Sequence, residues 1–302
     1  MGRWISTRAV RRAFNRQRRL ALAFTAADWP PHPRFIGGAD LAFAPGSAER
    51  AGSPGSRAVA VAVVWDRQQR RCVEIAAARR RVRFPYVPGL LSFREAPILQ
   101  AAIRRLQTPV DVWIFDGHGI SHPRGCGLAT HLGMLLNQPS VGAAKSRLCG
   151  VGATPASRRG ACTPLRHQGR LVGFAVRTEA RQPPLYVSPG FRCTPRQAAK
   201  LVLACALRHR LPEPTRLADW ACAQLRRVGA GSVTVDILQR LVRPDPSRHS
   251  FTQREQGVVS RHGGYRRTGP AHRNQTGGRL KRPSENKIYT PVKKTAPAWR
   301  ED

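Results

Sequence analysis

Acid is what this sequence has least of. Seventeen Asp and Glu stand against 52 Lys and Arg, a formal charge of +35 over 302 residues. That balance excludes an ordinary mixed-charge surface and attracts polyanions over about 8–10 Å, the screening length of physiological salt. Nucleic acid is therefore the first partner class to consider. An arginine-rich, high-GC style of composition would explain Arg over Lys, but not the shortage of acid.

Closely spaced cysteine pairs are missing too. None of Cys72, Cys126, Cys149, Cys162, Cys193, Cys205 and Cys222 forms a CxxC pair, which excludes a zinc ribbon and indicates no disulfide framework. A reducing compartment fits, and a cytoplasmic location is expected. No apolar run approaches the roughly 20 residues that span a bilayer. The longest candidates, Leu20–Ala27 and Ala58–Trp65, are far too short, so a soluble protein with no membrane partner is expected. Internal repeats and apolar heptads are absent, and a monomer is the expectation. With 41% apolar residues the chain has enough for a packed core, in one large domain or two small ones.

What is present divides the chain into three. Residues 1–27 carry many arginines and no acid, as in an organelle transit peptide or a basic nucleic-acid-binding arm. Val10, Phe14, Leu20 and Leu22 are spaced for a basic helix over Thr7–Phe24. Gly2 with Ser6 also matches a myristoylation pattern short enough to arise by chance. Pro30, Pro31 and Pro33 must end any such helix.

Residues 28–228 read as the catalytic domain. Phe35–Phe43 is a strand, and Ala58–Trp65 with Arg71–Val82 is a hairpin. Ser92 stands three residues before Glu95, the spacing of a capping box, and a helix continues to Leu106. Val110–Phe115 is a buried strand, then come a helix from about Gly127 to Leu136 and a strand over Ser140–Ala144. Two further strand candidates, Leu171–Arg177 and Leu185–Ser188, precede amphipathic helices over Pro195–Arg208 and Pro214–Arg226. This order predicts an α/β fold, a mixed sheet flanked by helices. Residues 229–302, rich in Gly, Arg, Ser and Pro, are expected to be a basic, largely disordered tail.

Three carboxylates carry the chemical argument. Asp116 ends a buried strand, Asp40 lies near the end of an earlier one, and Glu95 sits on the helix between them. Carboxylates at strand tips are fixed by backbone yet open to solvent, and oxygen-only donors suit magnesium or manganese. Each acid alone reads equally as a cap, an arginine partner or a loop residue. Together, on so basic a chain, they point to metal-assisted hydrolysis of a nucleic-acid backbone. His118 and His122 follow on a glycine-rich turn, His122 as a phosphate contact or a support for other active-site groups. Lys145 ends an apolar strand, where a cation needs a phosphate or carboxylate partner. Pro85–Gly89 forms a stiff loop around Tyr86, either a wedge that unstacks a base or a ring packed under its own prolines. Gly89 and Gly117 could line a tight pocket.

The motifs PYVPGLLSFRE, DGHGISHPRG, AAKSRLCG and RLPEPTRLAD resemble endonuclease V, the deoxyinosine-specific nuclease family with a ribonuclease H-like fold. The resemblance runs from about Phe35 to Ala223. It implies a magnesium-dependent enzyme, with manganese as an alternative ion, that flips hypoxanthine out of DNA and cuts the second phosphodiester on its 3′ side. In this likeness Asp40 and Asp116 match metal aspartates and Glu95 the catalytic glutamate. Tyr86, beside Pro85, matches the wedge, and His122 and Lys145 match residues lining the active site. Gly89, Gly117 and Gly127 match the backbone of the base pocket.

One position departs: Phe191 follows a glycine where the family usually has histidine. A catalytically weakened nucleic-acid-binding homologue is thus a second reading, and another ribonuclease H-like nuclease, a resolvase or transposase, a third. Inosine-containing RNA is a second candidate substrate.

Overall fold

A computed structural model describes residues 7–27, 29, 32–44 and 54–227. The expected tail over residues 229–302 and the Gly2–Ser6 pattern lie outside the described residues. Thirteen elements follow in order: α1 (Thr7–Leu22), β1 (Phe35–Phe43), β2 (Arg57–Asp66), β3 (Arg71–Arg81), α2 (Leu91–Ile103), β4 (Val112–Phe115), α3 (Leu128–Leu136), β5 (Ser140–Ala144), β6 (Cys162–His167), β7 (Arg170–Val176), β8 (Leu185–Phe191), α4 (Pro195–Cys205) and α5 (Glu213–Arg227).

The strands form one eight-stranded sheet in the order β3-β2-β1-β4-β5-β8-β7-β6. β1, β4 and β5 run parallel at its centre, and antiparallel strands continue on both sides. The apolar runs are continuous because the central strands are covered on both faces. In β2, Ala58, Ala60, Ala62 and Val64 pack toward α2 and α3, while Val59, Val61, Val63 and Trp65 pack toward α5. In β4, Trp113 and Phe115 join the first of these cores, and Val112 and Ile114 pack with α4. This is the mixed sheet flanked by helices that the element order predicts.

Two local expectations are corrected. Ser92 does not cap α2: the N-cap is Leu90, without a side-chain cap bond, and Ser92 is buried with its Oγ 2.9 Å from His131 Nδ1. The capping-box spacing coincides here with a residue that the α2–α3 packing has recruited. β6 has no counterpart in the expected strands. It is an edge strand containing Pro164, largely exposed along its length, so it shows neither an apolar run nor a clean alternation.

Candidate active site

The central parallel strands bring the acids together. β1 and β4 pair up to Ala39↔Phe115, so Asp40, within β1, and Asp116, just past β4, follow side by side on neighbouring stretches of chain about 4.8 Å apart. Asp116 closes on Lys145, just past β5, with Nζ 2.7 Å from Oδ2. Glu95 arrives from α2 and feels the charge of Asp116. Its Oε1 accepts a hydrogen bond from Arg94 Nη2 at 2.9 Å.

A fourth acid, Asp219 on α5, adds its charge to the field at Asp40. α5 reaches this position because β1 has Gly38, where any Cβ would run into the Pro214 backbone. The motif RLPEPTRLAD ends on Asp219, but helical spacing marks that residue only as part of an exposed face. Its approach to Asp40 depends on how α5 docks.

The electrostatics follow from crowding acid at the edge of a core. Burial pushes the Asp40 carboxyl up to about 8, opposed by the Leu41 N–H and reinforced by the charges of Asp116 and Asp219. Glu95 is also raised, by burial first and by Asp116, while Arg94 opposes the shift. Burial pulls Lys145 down, but its bond to Asp116 and the surrounding acids more than offset this and raise it. A cluster whose members repel each other toward protonation is short of positive charge.

The donors fit a hard divalent ion: every candidate ligand is a carboxylate oxygen, and the excess negative charge calls for a cation. Among the described residues no three such groups are closed around a common point as a finished cage. Lys145 already takes one oxygen of Asp116.

Beside the acids lies a second construction, made of loops. The turn after β4 is pinned to β8: Gly119 N–H donates to Ser188 Oγ at 2.8 Å, and Ile120 N–H to the Pro189 carbonyl at 2.8 Å. A Cβ at Gly127 would run into the His118 carbonyl, so only glycine lets α3 start this close to the turn. At Gly117 a Cβ would stand 3.3 Å from that of Leu128. Gly89 has φ +78°, and a side chain there would meet the Arg124 guanidinium. Arg124 Nη2 donates to the Gly89 carbonyl at 2.8 Å, tying the Tyr86 loop to the Asp116 turn.

His122 belongs to this tie. It is 4% exposed, accepts from Arg124 N–H through Nδ1 at 3.1 Å and lies close to the Gly89 backbone. Burial, then the charge of Arg124, lowers it to about 4. The imidazole is enclosed between the two loops and meets protein groups there. His118, also lowered to about 4 by burial, has a buried Nδ1 without a hydrogen-bond partner, an atom whose cost falls when a ligand or water meets it.

Tyr86 is 64% exposed, and Arg94 stands 5.3 Å over its ring, so it is not packed away under Pro85 and Pro88. Phe191 is not in the site. It pairs with Ser140 at the start of β5, opposite Trp113, whereas Lys145 lies beyond the far end of that strand, about 16 Å along it. The ring lies where α3 meets β8, its Cβ beside Gly133. Its lack of a titrating group therefore has no direct bearing on the acids.

A mixed α/β sheet with acids gathered where its parallel β1–β4 pairing ends is an architecture that suits a nuclease of the hydrolase class. The endonuclease V family model matches residues 18–220, and the chain belongs to the endonuclease V family. An endonuclease V of Roseiflexus sp. is 49% identical over 168 residues, 56% of this chain and 76% of the relative. The crystal structure of endonuclease V from Streptomyces avermitilis superposes with a TM-score of 0.65 at 35% identity, covering 74% of this chain and 94% of that one. The Ciona intestinalis endonuclease V, crystallised with DNA containing an inosine followed by a ribo-adenosine, shares the fold with a TM-score of 0.62 at 23% identity, covering 74% of this chain and all of that one. No described helix is long and apolar enough to cross a membrane.

Proposed function

We propose that this chain is a repair endonuclease that recognises deoxyinosine in DNA and hydrolyses the second phosphodiester on the 3′ side of the lesion. The observation that carries the reading is that Asp40 and Asp116 each stand one residue past the last parallel β1–β4 pair, Ala39↔Phe115, beside a glycine-lined turn and an exposed aromatic. The Ciona relative's inosine-containing DNA complex supports the substrate class.

Residues 28–228 carry the catalysis in this reading. Asp40, Asp116 and Glu95, with Asp219, would hold magnesium or manganese, whose chemistry is to activate water and neutralise charge developing on a phosphodiester. Lys145 fixes the Asp116 carboxylate by one oxygen and leaves the other free. Its exposed ammonium also lies within reach of an approaching phosphate. Arg94 orients Glu95. Tyr86 takes the place of the extruded base in the stack, and stacking on an aromatic is worth about 1–3 kcal/mol per base. Gly89, Gly117 and Gly127 let backbone close around that base, and His122 holds the two loops at their spacing. Inosine in RNA is a second substrate for the same site.

The test is a strand-nicking assay with magnesium on duplexes carrying inosine or adenine at one position, with Asp116→Ala as control. A nick beside inosine that the variant abolishes is expected. No nick with magnesium or manganese would end this reading.

A further inference from the structure

α1 is basic enough to pass for an arm that merely attracts phosphate, yet its most informative residue is neutral and buried. Gln17 is 1% exposed. Its Nε2 donates to the Gly89 carbonyl at 2.8 Å and to the Cys126 carbonyl at 2.7 Å, while its Oε1 accepts from Arg124 Nε at 2.6 Å. Gly89 follows the Tyr86 wedge, and Cys126 precedes Gly127 at the start of α3. One side-chain amide thus spans both glycine-bearing loops. A further contact seats the helix: Arg124 stands 4.6 Å over the Phe14 ring, and a Cβ at Gly125 would reach that of Ala21 at 3.4 Å.

We propose that Gln17 is a positioning residue for lesion recognition: it sets the spacing of the two loops, so that α1 is part of the base pocket. This rests on the base-pocket reading above. A buried amide with both donors and its acceptor engaged specifies one arrangement of its partners, because any slip leaves desolvated carbonyls unpaired. Gln17 touches neither the acids nor any reacting atom. Its influence falls on discrimination and not on hydrolysis.

The experiment compares dissociation constants for duplexes that differ only in inosine or adenine at one position. Full-length protein carrying Asp116→Ala is used, so that binding is read without cutting. Gln17→Met keeps the side-chain length and removes all three hydrogen bonds. Its preference for inosine over adenine should fall at least tenfold, with affinity for the adenine duplex unchanged within twofold. The ratio cancels any loss of folded protein, which a merely structural role would produce. An unchanged ratio, or equal losses on both duplexes, overturns the proposal. Arg124→Met acts on the same junction from the opposite loop and should lower the ratio likewise, which keeps the test open if Gln17→Met fails to fold. A starting preference of one, before Gln17 is altered, would mark the failure as that of the base-pocket reading.

Discussion

The acid cluster and the loop junction lie side by side but are built on opposite principles. In the cluster, backbone topology forces Asp40, Asp116, Glu95 and Asp219 together against their mutual repulsion, and Asp40 is pushed up to about 8. At the junction, Gln17, His122 and Arg124 satisfy one another and the Gly89 and Cys126 carbonyls internally. The first is electrostatically incomplete and calls for a cation. The second is complete before any ligand arrives. Chemistry and recognition can therefore be disturbed separately.

The largest effect expected is on the cluster. Asp40→Asn removes a proposed ligand and a charge, and nicking of the inosine duplex should fall by about a thousandfold or more, the scale of losing one electrostatic element of catalysis. Binding to the same duplex should persist. Magnesium should raise the thermal midpoint of the parent protein and not that of Asp40→Asn. An equal rise in both would separate Asp40 from the ion and break the contrast.

Next comes the junction. Gly89→Ala forces a Cβ into the left-handed region and against Arg124, a cost of about 1–3 kcal/mol. Affinity for inosine should drop about ten- to a hundredfold, while the turnover rate at saturation stays within a few fold. A selective loss of turnover would show that the two regions are not separable.

Tyr86→Ala probes the edge of the junction. It removes an exposed ring whose stacking is worth about 1–3 kcal/mol, so kcat/KM on inosine should fall about five- to a hundredfold with no change in melting temperature. A lower melting temperature would mark the ring as structural.

A smaller effect concerns pH. Burial holds His131 near 4 against its ordinary 6.5, with the Arg16 charge adding to the shift. The unfolded chain therefore takes up a proton below about 6.5 that the folded one refuses. Stability from this group is complete above 6.5 and is lost as pH falls toward 4, by about 1.4 kcal/mol per pH unit. His131→Asn should flatten the denaturation profile between pH 6 and 4.5 by that slope. Identical profiles would show that His131 is protonated in the fold. The smallest effect expected is Phe191→His, which should change nicking by less than twofold, since the position lies at the other end of β5. A large gain would restore the reading of a weakened homologue.

Most of the sheet was legible in the chain. β2, β4 and β5 are buried almost throughout and read as apolar runs, β1 is buried from Ile36 to Ala39 before Asp40 interrupts it, and Ser140–Ala144 matches β5 residue for residue. β6 was hidden because an exposed edge strand with a proline carries no such pattern. Asp40, Glu95, Asp116 and Lys145 stood out as scarce acids and a misplaced cation beside apolar strands. Asp219 and Gln17 did not, since an acid on a polar helix face and an amide among arginines look solvated until the helix docks.

The linear order of residues thus determined the strand cores, the helices against them and the placing of acid beside apolar strand segments, because these follow from local apolar runs and their breaks. Only tertiary structure decided which carboxylates share a field, that Ser92 serves His131 instead of a helix end, that Phe191 lies away from the acids and that α1 reaches the loops. Those outcomes depend on register and docking, which bring residues distant in the chain within the few ångströms over which charges and hydrogen bonds act.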